Sequence, residues 1–293
     1  MTQEAPIIGL HPWLATPPGR YLAAWEQARL DALVGDIFGF HAVQLGLPEV
    51  DGLRSNRMPH RWLVVGEQGD LAVERPASLS DDPPADDNSA PAATQPAPVA
   101  AAVLCDFDAL PFASQSLDLV VLPHTLELAR DAHQALREVE RVLVPEGRVV
   151  VLGFNPASLW GLRQWFGRWA LRLGLAHESR ALFLPRTGEF IAQRRLRDWL
   201  RLLGFEVESA GFGCWRPALR SQRWLDRWRW MEPTGERWWP VFGAVYMVVA
   251  IKRVRGMRLI GPAWKRAPAP RASPAVATHR HHHRHHHRLS SGR

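Results

Sequence analysis

Short apolar runs that alternate with amphipathic segments are the feature that most constrains this fold. Residues 117–122 (LDLVVL) and 148–154 (RVVVLGF) are almost continuously apolar, which is typical of strands buried on both faces of a sheet. Further strands are predicted at residues 41–45, 60–65, 99–104, 205–209 and 242–253. Apolar side chains spaced by three and four residues predict helices at residues 20–38, 131–143, 158–175 and 196–203. This alternation predicts an α/β domain in which helices cover both faces of a doubly wound, mostly parallel sheet.

Functional residues are expected directly after the strands, because open α/β sheets bind ligands at the carboxyl ends of their strands. The positions that follow predicted strands are Gly46, Gly66, Asp106, His124 and residues 153–155. We therefore expect these positions to gather along one edge of the sheet.

The net charge of +7 does not describe the folded part of the chain. Eleven of the 36 lysines and arginines lie from Lys252 onward, where no acidic residue occurs, and the rest has 25 bases against 29 acids. A mildly acidic domain lacks the basic face that nucleic-acid binding needs. No nucleic-acid partner is therefore expected.

The low cysteine content fits a reducing compartment, and the hydropathy of the chain predicts neither export nor a membrane span. Cys105 and Cys214 are too few for a disulfide framework or a four-cysteine zinc site, and no metal site is predicted. The first twenty residues lack a basic start followed by an apolar run, and no stretch reaches eighteen uninterrupted apolar residues. Neither a signal peptide nor a membrane span is expected, and the prediction is a cytoplasmic protein.

Composition divides the chain into three parts. Residues 1–38 form a helical lead-in and residues 39–255 form the main domain. Residues 75–98, which consist largely of Pro, Ala, Ser and Asp, are predicted to be a disordered insertion in that domain. Residues 256–293 are predicted to be a disordered basic tail that ends in a His-rich run.

Residues 104–154 carry a long pattern of motif residues in register. The pattern comprises Asp106, then Leu110-Pro111-Phe112, Ser116-Leu-Asp118, the helix LREVERVL from Leu136, and Pro145-Glu-Gly147 before the last strand. Over about fifty positions it resembles the class I methyltransferases that use S-adenosylmethionine, especially the branch of ubiquinone- and menaquinone-biosynthesis methyltransferases. The opening stretch, residues 38–62, resembles that of an uncharacterised proteobacterial branch of the same family.

The resemblance implies a seven-stranded Rossmann-like sheet, S-adenosylmethionine as the cofactor, and roles for particular residues. The Asp106 carboxylate would accept a hydrogen bond from the adenine amine, and the N–H of Phe107 would donate to the adenine ring. Phe107 and Leu110 would contact the faces of the ring. His124 would border the sulfonium. Without the resemblance, a turn-forming role for Asp106 and a packing role for His124 would fit the sequence as well as these functional roles.

The glycine-rich loop of the family is eroded in this chain. Gly46 falls at the first glycine, Gln44 takes the place of an acid, and residues 47–50 (LPEV) replace the other glycines. Pro48 can neither adopt a positive φ nor offer an N–H. An alternative alignment that begins the glycine motif at Gly66 matches more of its glycines. It leaves no room before Asp106 for the helix, strand and helix that should follow the motif. In the preferred frame Glu67 falls at the ribose-binding carboxylate, although a glutamate after a strand is common.

The sequence does not identify the methyl acceptor, but it limits the class of molecule to which the acceptor belongs. Methyl transfer from a sulfonium needs alignment of the acceptor, with a base only where a proton must leave, and His124 and Glu127 are the candidate bases. The Trp- and Arg-rich carboxyl third fits aromatic packing, an apolar pocket for a small or lipid-like acceptor, or peripheral contact with anionic lipid. The alternative function is a non-catalytic scaffold with a methyltransferase fold. A nucleic-acid methyltransferase is disfavoured by the acidic domain.

Overall fold

The computed structural model describes residues 10–66, 102–175, 182–185 and 190–253. In these ranges the strands are β1 (His41–Leu45), β2 (His60–Val65), β3 (Ala102–Leu104), β4 (Leu117–Pro123), β5 (Leu143–Phe154), β6 (Phe205–Gly213) and β7 (Val245–Lys252). They form one seven-stranded sheet in the order β3-β2-β1-β4-β5-β7-β6. Strands β1 to β5 pair in parallel, and β7 lies antiparallel between β5 and β6. The predicted doubly wound, mostly parallel, seven-stranded sheet is confirmed.

Helices flank the sheet. In the described ranges they are α1 (Leu10–Leu14), α2 (Pro17–Val34), α3 (Thr125–Leu128), α4 (Ala132–Val142), α5 (Leu159–Arg172), α6 (Gln193–Leu202), α7 (Gln222–Arg227) and α8 (Met231–Trp238). The helix predicted at 20–38 instead begins at Pro17, because the Thr16 hydroxyl caps the Gly19 N–H at 3.4 Å. It ends at Val34, whose carbonyl accepts a hydrogen bond from Asn56 Nδ2 at 2.7 Å. Helices α1, α3, α7 and α8 are too short to show a sequence period, and sequence analysis missed them.

Several strands begin or end at other residues than predicted, because their pairing with neighbouring strands sets their ends. Strand β5 begins at Leu143 rather than at 148, because Leu143 already pairs with Leu117 before the register shifts. Within that shift, Glu146 adopts a positive φ of 64°. Strand β6 continues past residue 209 to Gly213 because it pairs with β7 along that length. Strand β7 begins at Val245, since Pro240–Phe242 form a 3-10 turn.

The core consists of two layers, one on each face of the sheet. Leu22 and Leu30 of α2 pack with Trp160 of α5 on one face. Leu136 of α4 and Leu196 of α6 pack in the layer on the other face. Asp131 caps the start of α4, because its carboxylate accepts from the N–H of His133 at 2.8 Å. The parallel strands therefore lie between two helical layers, as their apolar runs require.

Two predicted segments cannot be described. The insertion at 75–98 and the tail at 256–293 lie outside the described residues, and so do residues 99–101 of the predicted third strand. The domain boundaries at residues 38 and 255 stay predictions. Among the described helices, none has both the length and the apolar character needed to cross a bilayer.

Candidate functional site

The carboxyl ends of three adjacent parallel strands form the candidate site. Gly46 follows β1 and Gly66 follows β2, and the N–H of Gly46 donates to the Val64 carbonyl at 2.7 Å. Residues Cys105 and Asp106 follow β3, and Cys105 is tied to the Val65 carbonyl at 3.1 Å. The order β3-β2-β1 places these ends side by side. The edge predicted from the sequence is therefore formed.

The ring of Phe107 covers the ends of β1 and β2. A Cβ added to Gly46 or to Gly66 would lie 3.4 Å from Phe107 Cζ in either case. Gly46 also has a φ of +76°, a conformation that L side chains rarely adopt. Glycine is thus required at Gly46 by its backbone conformation, whereas a Cβ at either position would make ordinary van der Waals contact with the ring.

The loop after β1 is organised by the Gln44 side chain, although its extra glycines are missing. Gln44 Nε2 donates to the carbonyls of Gly46 (3.1 Å), Leu47 (3.0 Å) and Val50 (2.7 Å). Gln44 Oε1 accepts from the Gly52 N–H at 2.8 Å. A buried amide thus gathers the carbonyls of this turn, in which Leu47 itself takes a φ of 45°.

At the end of β3, Asp106 is exposed and Phe107 is half-buried. No described residue accepts a hydrogen bond from the Phe107 N–H. Asp108 Oδ1 lies buried without a hydrogen-bond partner in the described chain, and burial, together with the charges of Asp131 and Asp106, raises the pKa of the Asp108 carboxyl. Among the described residues, the Phe107 N–H and Asp108 Oδ1 thus have no hydrogen-bond partner.

Helix α4 holds this turn through Glu138 and Arg141. Glu138 Oε2 accepts from the Leu110 N–H at 3.1 Å. Arg141 donates to the carbonyl of Leu110 at 3.0 Å and to that of Phe112 at 2.9 Å, and it pairs with Glu138 at 2.8 Å. The Arg141 hydrogen bond lowers the pKa of Glu138, so the pair stays charged near neutral pH. The motif residues of the loop and of the helix form one clamp.

Leu110 lies in the core and not on the open edge. Its side chain is 4% exposed and packs in the same layer as Leu136 and Val139 of α4. The expectation that Leu110 contacts a ligand ring is not supported by this placement, because the side chain supports the turn from within the core. The predicted contact at Leu110 gives way to a packing role.

His124 and Glu127 follow the carboxyl end of β4. Their side chains belong to a buried ionic cluster. His124 Nδ1 is 2.9 Å from Glu127 Oε2, and His124 Nε2 is 2.7 Å from Glu26 Oε1 of α2. Burial opposes the charged imidazole, but the carboxylates of Glu26 and Glu127 outweigh it and raise the pKa of His124 to about 10. Glu127 Oε1 also accepts from the Phe154 N–H at 2.6 Å. Both imidazole nitrogens are therefore engaged within the protein.

Glu26 is a functional residue that sequence analysis missed. It is completely buried, and its Oε2 has no hydrogen-bond partner in the described chain. A signal was present, since Glu26 lies four residues from both Leu22 and Leu30, on the buried stripe of α2. A carboxylate on an apolar stripe requires a buried partner, and here the partner is His124.

An apolar cavity of about 310 Å³ opens just after β5. Its walls include Leu159, Leu162 and Trp165 of α5, together with Phe242. The floor is residues 156–158, which follow the carboxyl end of β5 at Phe154. A cavity of this size and lining suits a small apolar molecule or part of a larger one.

Of the predicted cofactor residues, the structure gathers Gly46, Phe107 and Asp106 at one edge. Leu110 and His124 are buried, and Glu67 lies outside the described residues. In the described ranges no three His, Cys, Asp or Glu side chains are grouped so as to hold a metal ion. Cys214 is a buried free thiol.

Sequence comparisons connect the site to known proteins. A family model described as a methyltransferase domain matches residues 81–151. The uncharacterized protein YafS of Escherichia coli K12 is 44% identical over 101 residues, which are 34% of this chain and 38% of that protein. The ubiquinone/menaquinone biosynthesis C-methyltransferase UbiE of Desulfotalea psychrophila is 33% identical over 110 residues, 35% of this chain and 45% of that enzyme. The chain thus spans less than half the length of these relatives.

A solved structure extends the likeness over most of the chain. The methyltransferase of Haloferax volcanii in complex with the Trm112 methyltransferase activator aligns with a TM-score of 0.51, covering 84% of this chain and 96% of that chain. The two sequences are 16% identical, so this likeness concerns the fold.

Proposed function

We propose that the chain is a class I S-adenosylmethionine-dependent methyltransferase that transfers a methyl group to a small or apolar acceptor, because a methyltransferase-domain model matches residues 81–151 and its relatives include methyltransferases. The observation that carries this proposal is the turn after β3. There the exposed Asp106 carboxylate and the Phe107 N–H, which has no acceptor among the described residues, lie at the carboxyl edge of the sheet, and the Phe107 ring lies beside Gly46 and Gly66. An acceptor next to a donor matches the edge of an adenine ring.

The residues at this edge fit the nucleoside part of the cofactor. Asp106 would accept from the exocyclic amine and the Phe107 N–H would donate to a ring nitrogen. The Phe107 ring, which lies on Gly46 and Gly66, would offer a stacking face. Glu67 follows β2 in sequence and is proposed to contact the ribose. Gly46, at the end of β1, is proposed to face the methionine part.

The chain's own task is alignment. When bound, S-adenosylmethionine supplies a methyl group that is already activated for displacement, so the protein needs no nucleophile. The two ring nitrogens of His124 contact Glu127 and Glu26. Because of these contacts, neither His124 nor Glu127 acts as a free base in this arrangement. We assign them a positioning role, in which His124 ties α2 to the segment that follows β4. Rate enhancement would come from holding the acceptor in line.

The acceptor is proposed to use the cavity beside α5. This cavity starts two residues after β5, at the same edge of the sheet as the cofactor residues, and its walls are apolar. The similar UbiE protein is a C-methyltransferase of ubiquinone and menaquinone biosynthesis, which is consistent with an apolar acceptor.

Isothermal titration calorimetry with S-adenosylmethionine tests the cofactor assignment. We expect micromolar binding by the full chain and a loss of roughly tenfold or more in Asp106→Ala, since hydrogen bonds to charged groups contribute about 1.5–3 kcal/mol. Asp36→Ala is the matched control, because Asp36 is equally exposed but precedes β1 at the opposite edge of the sheet. Equal affinity of Asp106→Ala and Asp36→Ala would reject the assigned role of Asp106.

A non-catalytic scaffold is the second candidate, and one observation favours it. Val50, which replaces a loop glycine, and the neighbouring Leu47 are buried in the core, and Phe107 covers the adjacent strand ends. If this packing excludes the nucleoside, the titration will show no binding even at millimolar cofactor. That result would select the scaffold over the enzyme.

A further inference from the structure

Helix α5 presents an apolar face to solvent. Its six members are defined here as the α5 face: Leu159, Leu162, Trp165, Phe166, Trp169 and Leu173. Each is about half exposed, from 49% for Leu159 to 59% for Trp165. Their spacing of three and four residues forms one continuous stripe. An exposed apolar stripe of this length is typical of an interaction surface.

The α5 face lies opposite the side by which the helix is anchored. Trp160, Gly161, Gln164 and Gly167 are buried, and at 3.6 residues per turn they centre about half a turn from the α5 face. Trp160 packs in the core, and Gln164 accepts from the N–H groups of Phe183 and Leu184 at 2.8 and 2.9 Å. The buried side thus anchors the helix to the domain, and the α5 face points away from it.

Charge along α5 has one sign. Arg163, Arg168 and Arg172 flank the α5 face, and the helix contains no Asp or Glu. Among the described residues, Arg168 and Arg172 have no ion-pair partner and both are exposed, with the Arg168 guanidinium 5.6 Å from the centroid of the Phe190 ring. Long cationic side chains beside exposed Trp and Phe match a layer with apolar interior and anionic surface. A typical protein partner would require no such uniform positive flank.

From this arrangement we propose that the α5 face docks on an anionic lipid bilayer. Its tryptophans enter the interface, while Arg168 and Arg172 contact lipid phosphates. The apolar cavity bounded by Leu159, Leu162 and Trp165 opens on this same helix, so docking brings it to the acyl layer. The bilayer thereby becomes the source of an apolar acceptor. Docking itself does not depend on methyl transfer, although the delivery of an acceptor rests on the proposed function.

Vesicle flotation of the full chain tests the docking surface. Vesicles of phosphatidylcholine alone are compared with vesicles that also contain phosphatidylglycerol. We expect binding to the anionic vesicles and its loss in the double variant Trp165→Glu/Trp169→Glu. The variant Arg168→Gln/Arg172→Gln should bind them roughly 25-fold more weakly, about fivefold per arginine, with a smaller difference at high salt.

Leu202→Glu is the matched control. Leu202 is 84% exposed at the end of α6, a helix that packs on the opposite face of the sheet. This variant should bind anionic vesicles like the parent chain, and circular dichroism should show all variants folded.

Three results would overturn the proposal. The parent chain could fail to float with anionic vesicles. The α5 variants could float like the parent, which would assign binding to the basic residues after Val254. Gel filtration could show a dimer that Trp165→Glu/Trp169→Glu converts to monomer, which would make a second copy the occupant of the α5 face. Cofactor titration of the same variants separates these outcomes from a failure of the proposed function.

Discussion

Replacing Gln44 by Glu tests whether a buried amide stands in for the missing loop glycines. In the parent chain, Gln44 Nε2 donates to the carbonyls of Gly46, Leu47 and Val50 at 3.1, 3.0 and 2.7 Å. A carboxylate has no hydrogen to donate, so an ionised glutamate would face three carbonyl oxygens without water, since the residue is 2% exposed. The variant must therefore either hold an unpaired buried charge or take up a proton.

The size of the effect follows from these two requirements. A protonated glutamate keeps one donor and loses about one hydrogen bond, which costs about 1 kcal/mol. Holding the proton costs about 1.4 kcal/mol for each pH unit above the ordinary glutamate pKa of about 4.3. The loss of unfolding free energy should thus be about 2 kcal/mol at pH 5 and up to about 5 kcal/mol at pH 7. The sign follows because the pKa of the new carboxyl is raised in the folded state, so stability falls as pH rises above the unfolded value.

Urea unfolding at both pH values, followed by far-ultraviolet circular dichroism, measures the difference. Gln134→Glu serves as control, because Gln134 is exposed on the first turn of α4 and its change should lie within about 0.5 kcal/mol. If Gln44→Glu unfolds at pH 7, the pH 5 measurement still reports the smaller loss. A loss that is equal at the two pH values, or no loss, would refute the role assigned to the amide.

Two further changes examine the ionic cluster and the loop clamp. Since the folded pKa of His124 is about 10 and its ordinary value is 6.5, its contribution to stability is complete below pH 6.5 and is lost as the pH rises towards 10. The melting temperature of the parent chain should fall over that window, and His124→Gln should flatten the fall; parallel curves would contradict a charged His124. Arg141→Lys should lower the unfolding free energy by about 1–2 kcal/mol in urea, because lysine cannot serve the Leu110 and Phe112 carbonyls and Glu138 at once. An unchanged midpoint would show that the clamp contributes nothing.

Much of the fold was predictable because its signals are local. The runs at 117–122 and 148–154 are apolar on both sides, and only a sheet covered on two faces accommodates them. Element ends were less predictable, since they depend on partners distant in sequence. Strand β6 reaches Gly213 only because β7 pairs with it, and α2 ends where Asn56 takes the Val34 carbonyl.

The candidate site was predictable in part for the same reason. Gly46 and Asp106 follow strands, and parallel strands bring such positions to one edge. The burial of Leu110 and His124 could not be predicted from the sequence. Each depends on helices that pack over the loop, α4 over Leu110 and α2 over His124.

The local pattern of residues was enough to give the layering of the domain, the family that it resembles, and the three strand ends where a nucleoside is proposed to bind. Periodicity and motif spacing are properties of neighbouring residues, so a single chain records them directly. The tertiary structure alone decided that the Gln44 amide shapes the eroded loop, that Glu26 meets His124 98 positions away, and that one side of α5 remains open. These are side-chain meetings across the fold, and their energies depend on burial and direction, which no local pattern encodes.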